Sequence, residues 1–128
     1  MHTTHNNGEI AVLKVELEAN QKGFIVSYPR NQHSRYDMLI DDGQKIYRTQ
    51  IKYLNSFQYT ATLRWRLPGS NDRYNKPYDK KDIDLLLMYL PIRDCVVSVP
   101  VDMFHQKTSL TINISDPSSP NYYKKILW

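Results

Sequence analysis

A single cysteine in 128 residues leaves no partner for an internal disulfide and excludes a cysteine-rich zinc module. That residue, Cys95, sits in the apolar run Cys95-Val96-Val97, where a buried, inert thiol is expected. Neither Cys95 nor His105 has a neighbour at metal-ligand spacing, so a zinc site is not expected. Long hydrophobic stretches are missing too: the longest strongly apolar run, residues 85–90, is far too short to cross a bilayer. The start, Met1-His2-Thr3-Thr4-His5, lacks the basic flank and apolar stretch of a signal peptide. No internal repeat is visible. A soluble, intracellular chain with one domain and one modest core is the expectation. A net charge of +4 and a pI near 9.1 favour an anionic partner without establishing one.

Residues 9 to about 21 carry a broad helical apolar face, with Ile10, Leu13 and Leu17 at helical spacing and Val12, Val15 and Ala19 beside them. Asn6 or Asn7 is placed to cap its start and Gly23 to end it. Residues 24–28 read as a strand closed by Pro29. Asp42-Gly43 between two apolar-rich runs signals a hairpin, with strands near 36–41 and 45–53. Residues 58–67 alternate, with Tyr59, Ala61, Leu63, Trp65 and Leu67 on one face and Thr60, Thr62, Arg64 and Arg66 on the other. A polar loop at 68–77 follows, then two buried strands at 83–90 and 96–99 joined by a turn, and a last short strand around Leu110, Ile112 and Ile114. The tail at 115–128 is a flexible end or an oligomer contact. The pattern implies one domain over 1–128, with its core at about 8–114: an α/β fold whose mixed sheet carries the N-terminal helix.

The chemistry gathers on the hairpin. If Asp42-Gly43 is a two-residue turn, Asp41 faces Gln44 and Asp37 faces Arg48. Arg48, Gln50 and Lys52 then share one side with Asp37. Asp37 lies diagonal to Gln50, at roughly 7–8 Å between α-carbons, a span suited to two oxygen ligands meeting at one cation. Phosphodiester hydrolysis needs a divalent metal, a poised water and positive charge for the developing anion. Mg²⁺ prefers oxygen ligands and keeps several waters, so one or two protein ligands suffice. Asp37 is the main ligand in this scheme, Gln50 lends its amide oxygen, and Lys52 orients or deprotonates the water. Such short motifs also recur by chance on ordinary polar hairpins. Glu9 adds weight because a helix packed on the sheet can bring it beside Asp37, although a first-turn glutamate also complements any helix dipole. Glu16, two turns on, is a second candidate.

The order of helix, strand, Arg35-Tyr36-Asp37 and Thr49-Gln50-Ile51-Lys52 resembles the PD-(D/E)XK nuclease superfamily. More narrowly, it is similar to the group I intron-associated homing endonuclease branch. Gly8-Glu9-Ile10-Ala11-Val12, Gly23-Phe24-Ile25-Val26-Ser27-Tyr28-Pro29, Asp82-Ile83-Asp84 and Val99-Pro100-Val101 extend the resemblance over roughly residues 8–114. It implies that Glu9, Asp37, Gln50 and Lys52 are catalytic, with Asp37, Gln50 and Glu9 at the metal. Gln50 replaces the acidic residue usual in the superfamily, as the narrower branch does, and Tyr36 stands where the signature proline would be.

The resemblance implies a Mg²⁺-dependent, site-specific endonuclease for double-stranded DNA, with Mn²⁺ able to substitute. Cutting both strands needs at least two active sites, so a homo-oligomer is expected, a dimer or a tetramer. The alternatives are a Holliday junction resolvase-like nuclease and a catalytically silent DNA-binding module. For DNA contact the candidates are Arg35, Arg48, Arg64, Arg66, Arg73, Lys76, Lys80 and Lys81, weighed against an ordinary solvated face partly neutralised by Asp72 and Asp79. His33, beside Asn31, Gln32 and Ser34, is also placed to touch phosphate.

Overall fold

The computed structural model describes residues 3–54, 60–64, 80–105 and 109–113. Helix α1 (Thr3–Gln21) opens the chain. It ends where Gly23 adopts a left-handed φ of +79°. Gly23 N–H donates to the Asn20 carbonyl at 3.0 Å and Phe24 N–H to Ala19 at 2.9 Å, the paired closure that a glycine after a helix permits. The other end departs from expectation: α1 starts at Thr3, so Asn6 and Asn7 lie inside it rather than at its cap.

The buried stripe of α1 differs as well. Ala11, Val15 and Ala19 are at most 1 % exposed, whereas Leu13 and Leu17 are 61 % and 53 % exposed. The broad apolar face allows more than one rotation of the helix. The observed rotation turns its small side chains inward, and these let the helix lie close against the sheet.

Strands β1 (Ile25–Ser27), β2 (Met38–Asp41), β3 (Ile46–Tyr53), β5 (Leu85–Leu90) and β6 (Cys95–Pro100) form a mixed sheet in the order β1-β2-β3-β5-β6. Only the β3–β5 ladder in it is parallel. Strand β4 (Thr60–Arg64) pairs with β7 (Ser109–Asn113) in a separate antiparallel ribbon. The short helix α2 (Val101–Phe104), unanticipated in the sequence, follows β6. Among the described residues no helix is long and apolar enough to cross a membrane.

Two apolar clusters sandwich the sheet. Ala11 and Val15 of α1 pack with Met38, Ile40, Ile51, Leu87 and Tyr89. Ile83, Leu86, Met88, Leu90, Val97 and Val99 form the second cluster, joined by Tyr36, Val101 and Met103. Alternate residues of β5 serve opposite clusters, which is why 85–90 reads as an unbroken apolar run rather than an alternating one. Cys95 is half-buried against the second cluster, less enclosed than expected.

Polar clamps set the relation between elements. Lys14 Nζ and the Tyr89 hydroxyl donate to Asp94 Oδ1 at 2.9 and 2.6 Å, tying α1 to the β5–β6 turn. Asp94 sits there at φ 45°, a conformation aspartate tolerates better than most residues. Arg48 clamps β3 to the chain entering β5. Its Nε and Nη2 donate to Asp84 Oδ2 and Oδ1, each at 3.0 Å. Nη2 also reaches the Lys80 carbonyl at 3.0 Å, and Nη1 reaches that of Lys81. Burial alone would raise the Asp84 carboxyl, but the hydrogen bonds and charge of Arg48 outweigh it and hold it below its usual value.

Arg48→Met is therefore expected to lower stability by about 2 kcal/mol, the scale for hydrogen bonds to charged groups. Thermal unfolding at neutral pH checks it. Because the Asp84 pKa is lowered, the stabilisation is present above its ordinary value of 3.8 and is lost as pH falls through the depressed one, so the two melting curves should converge in acid.

Candidate active site

The hairpin turn is centred one residue later than expected. Asp42 N–H donates to the Lys45 carbonyl at 3.1 Å, leaving Gly43, at φ +93°, and Gln44 as the loop. The Asp42 carboxylate decides this placement by accepting from Gln44 N–H at 2.9 Å and Lys45 N–H at 2.7 Å. Leu39 consequently pairs with Arg48 and Met38 with Thr49, which overturns the expected Asp37–Arg48 pairing. Moving the turn by one residue shifts every cross-strand partner by two, while Arg48, Gln50 and Lys52 stay on one side because alternate residues of a strand share a face whatever it pairs with.

At the end of this ladder the strands part. Asp37 N–H donates to the Thr49 carbonyl at 2.8 Å, although Thr49 already pairs with Met38. Two successive residues thus face one, the pattern of a β-bulge, which re-aims a side chain. The Asp37 carboxylate is brought against β3, where its Oδ2 accepts from Ile51 N–H at 2.8 Å and from Gln50 Nε2 at 2.9 Å. Tyr36 leaves the ladder, and its carbonyl accepts from the Ser34 hydroxyl at 3.0 Å.

The resulting cleft encloses about 570 Å³ and is lined by Gly8, Glu9, Val12, Leu13, Asp37, Gln50 and Ile51. Glu9 reaches it from the second turn of α1, and the first turn holds no acidic residue, so first-turn dipole complementarity does not account for Glu9. Val12 and Leu13 also line the cleft, although the sequence marks them only as part of the helix's apolar face. Glu16 is engaged elsewhere, accepting from the Tyr28 hydroxyl at 2.7 Å.

Electrostatics single out two groups. Burial raises the Asp37 carboxyl above its ordinary value, against the opposing pull of Ile51 N–H and the Lys52 charge. Burial also lowers the Lys52 amine below its ordinary value, against the attraction of Asp37. Each therefore titrates closer to neutrality than it would in water.

Gln50 Oε1 is the other unusual atom: it is buried and accepts no hydrogen bond from the described residues. Beside a carboxylate, it supplies a hard oxygen donor suited to a cation such as Mg²⁺. Among the described residues no three His, Cys, Asp or Glu side chains cluster in metal-holding geometry, so such a cation would depend on the amide oxygen and on water.

The remaining predicted residues divide. Lys80 and Lys81 are exposed. Lys80 N–H donates to His105 Nδ1 at 3.2 Å. Arg35 pairs with the buried Asp82 while 51 % of its own side chain stays exposed. All three guanidinium nitrogens of Arg48 bond within the fold. Arg64 ends β4, opposite Ser109. Arg66, Trp65, Arg73 and Lys76, the loop at 68–77 and the tail at 115–128 lie outside the described residues. The two carboxylates that hold Arg35 and Arg48 were missed as such; Asp82-Ile83-Asp84, a pair of acids entering an apolar strand, was the available signal.

The same architecture occurs in solved structures. The bacterial homing endonuclease I-Ssp6803I superposes with a TM-score of 0.73 at 22% identity, over 93% of this chain and 82% of that one. Hjc, a Holliday junction resolvase from the archaeal hyperthermophile Archaeoglobus fulgidus, superposes with a TM-score of 0.54 at 13% identity, over 84% of each chain. No curated protein matches the sequence. The PD-(D/E)XK endonuclease family matches residues 2–126, nearly the whole chain. With a mixed sheet carrying an N-terminal helix, and an acidic and amide cleft where β2 and β3 part, the chain belongs to the PD-(D/E)XK endonuclease family and is a DNA endonuclease.

Proposed function

We propose that this chain hydrolyses phosphodiester bonds of double-stranded DNA at specific sites, with Mg²⁺ and as a homo-oligomer, in the manner of a homing endonuclease. The observation that carries the reading is the buried Gln50 Oε1, without a donor among the described residues, beside an Asp37 carboxylate held by Ile51 N–H. An unsatisfied buried polar atom costs about 1–3 kcal/mol, and a cation would satisfy it. Asp37 and Gln50 would hold Mg²⁺, or Mn²⁺ in its place, with Glu9 acting from the helix side of the cleft. When bound, the cation supplies Lewis-acid polarisation of the phosphate.

The chain's own groups do the rest. The buried Lys52 amine takes a proton from water, or orients that water, as its oxygen bonds to phosphorus. The P–O ester bond breaks, and the leaving oxygen takes up a proton from solvent water. Arg35, Lys80 and Lys81, with Arg64, Arg66, Arg73 and Lys76, would meet the DNA. Arg48 contributes by holding the Lys80 and Lys81 backbone in place.

Plasmid nicking across a Mg²⁺ titration tests this site. Gln50→Leu keeps the bulk but removes the oxygen, and should raise the Mg²⁺ requirement on the order of 10- to 100-fold. Gln50→Glu should bind the metal at least as well, without necessarily cutting faster, since added negative charge also repels phosphate. If the leucine variant cuts like the wild type, Gln50 is a bystander.

A pH dependence follows from Asp37. Its raised carboxyl holds a proton to higher pH than the ordinary 3.8, and that proton competes with the metal. Half-saturating Mg²⁺ should therefore rise about tenfold per pH unit below the raised value and level off above it, as read in a binding titration.

The likeness to a resolvase favours one rival within the same fold. Preference for a four-way junction over a linear duplex would select it. An absence of metal-dependent nicking would instead select a silent DNA-binding module.

A further inference from the structure

A second cleft, of about 580 Å³, includes Arg35 and Tyr36, the residues immediately before Asp37. Four of its lining side chains are cationic, Arg30, Arg35, Arg48 and Lys81, and one is acidic, Asp82. Asp84 offsets Arg48 from outside the cleft. Positive charge therefore remains in a concave site, where it attracts an anion more strongly than on an open surface.

The loop that forms one wall is held by its own polar groups. Asn31 Oδ1 accepts from His33 N–H at 2.8 Å, and the Asn31 carbonyl accepts from Ser34 N–H at 3.2 Å. The opposite wall is anchored by Arg48, which fixes the Lys80 and Lys81 carbonyls. Both walls are thus set by internal bonds, which lowers the ordering cost of binding. Arg30 and His33 are exposed. Arg35 is paired with the buried Asp82 while about half of its side chain stays exposed.

We propose that this cleft is a second phosphate subsite, gripping the DNA backbone beside the scissile phosphate, with Arg30 and Lys81 as its outer cations and Arg35 between the two sites. The inference rests on the endonuclease reading above. The two clefts adjoin along the chain, since Arg35 lines this one and Asp37, two residues on, lines the first. A backbone phosphate fits better than a base edge, because cations and loop polar groups line this cleft and phosphate contacts position DNA without reading it.

The test is binding of a fluorescein-labelled linear duplex, without divalent metal, across a KCl titration. Wild type, Arg30→Ala, Arg30→Lys and Lys81→Ala are compared, with thermal melts to confirm folding. Each alanine variant should flatten the slope of log affinity against log salt by about 0.9 and weaken binding several-fold, equally on unrelated sequences. Arg30→Lys, which retains the charge, should keep the wild-type slope. If both alanine variants match wild type in slope and affinity while wild type still nicks plasmid with Mg²⁺, the subsite is refuted and the endonuclease reading stands. If wild type neither binds nor nicks duplex, both fall together. A loss confined to one DNA sequence would also overturn the proposal, since it would mean base readout.

Discussion

Asp37→Ala is expected to reduce Mg²⁺-dependent cleavage on the order of 10³-fold or more, while the duplex is still bound and the fold persists. The size of the effect follows from how much converges on one carboxylate. Its Oδ2 takes both the Ile51 N–H and the Gln50 amide, so its loss removes a charged oxygen ligand and releases Gln50 from its position. The fold should tolerate the change, because burial already disfavours the ionised carboxylate at this place. A single-turnover plasmid assay, with a binding isotherm alongside, checks both halves. Full activity in the variant would remove Asp37 from the site. Loss of binding together with cleavage would instead show that Asp37 holds the fold or the DNA surface.

The second large effect belongs to Lys52→Met. Cleavage should fall about 10²–10⁴-fold, the usual contribution of a positioned acid or base. Stability should move the other way. Burial lowers the Lys52 pKa despite the nearby Asp37, so the folded state binds fewer protons here than the unfolded state does below the ordinary 10.5. Wild-type stability therefore rises with pH across the window from the lowered value to 10.5, and the charged amine is a liability below it. The methionine variant should melt higher than wild type at neutral pH, and the difference should vanish as pH approaches 10.5. An inactive but more stable variant is the signature of a group kept for chemistry. A variant that is both inactive and less stable would assign Lys52 to the structure instead.

Much of this was legible in the chain because it depends on local rules. Gly23 ends α1 since only glycine takes its φ of +79° without strain, and that requirement is visible from the residue type. The grouping of Gln50 and Lys52 follows from the two-residue period of a strand, whatever the strand pairs with. It survived a mistaken register for that reason, since the true turn displaced the partners by two. Glu9 lines the same cleft as Asp37, although the helix begins earlier than its capping residues suggest.

The remainder needed the third dimension. Whether Leu13 or Ala11 faces the sheet depends on how closely α1 can approach β3 and β5, and helical periodicity allows both. Whether an arginine greets DNA or a neighbouring carboxylate depends on residues 36 to 47 positions away: Arg48 on Asp84, 36 apart, and Arg35 on Asp82, 47 apart, pairs that the parallel β3–β5 ladder brings together. The bulge at Asp37 is of the same kind, since it exists only because two strands part beside a helix. By itself the sequence determined which side chains could do chemistry and which shared a strand face, because alternation and turn chemistry are written residue by residue. Only the tertiary structure decided which of those side chains meet in the cleft and which are held within the fold, because distant partners compete for the same few donors and acceptors.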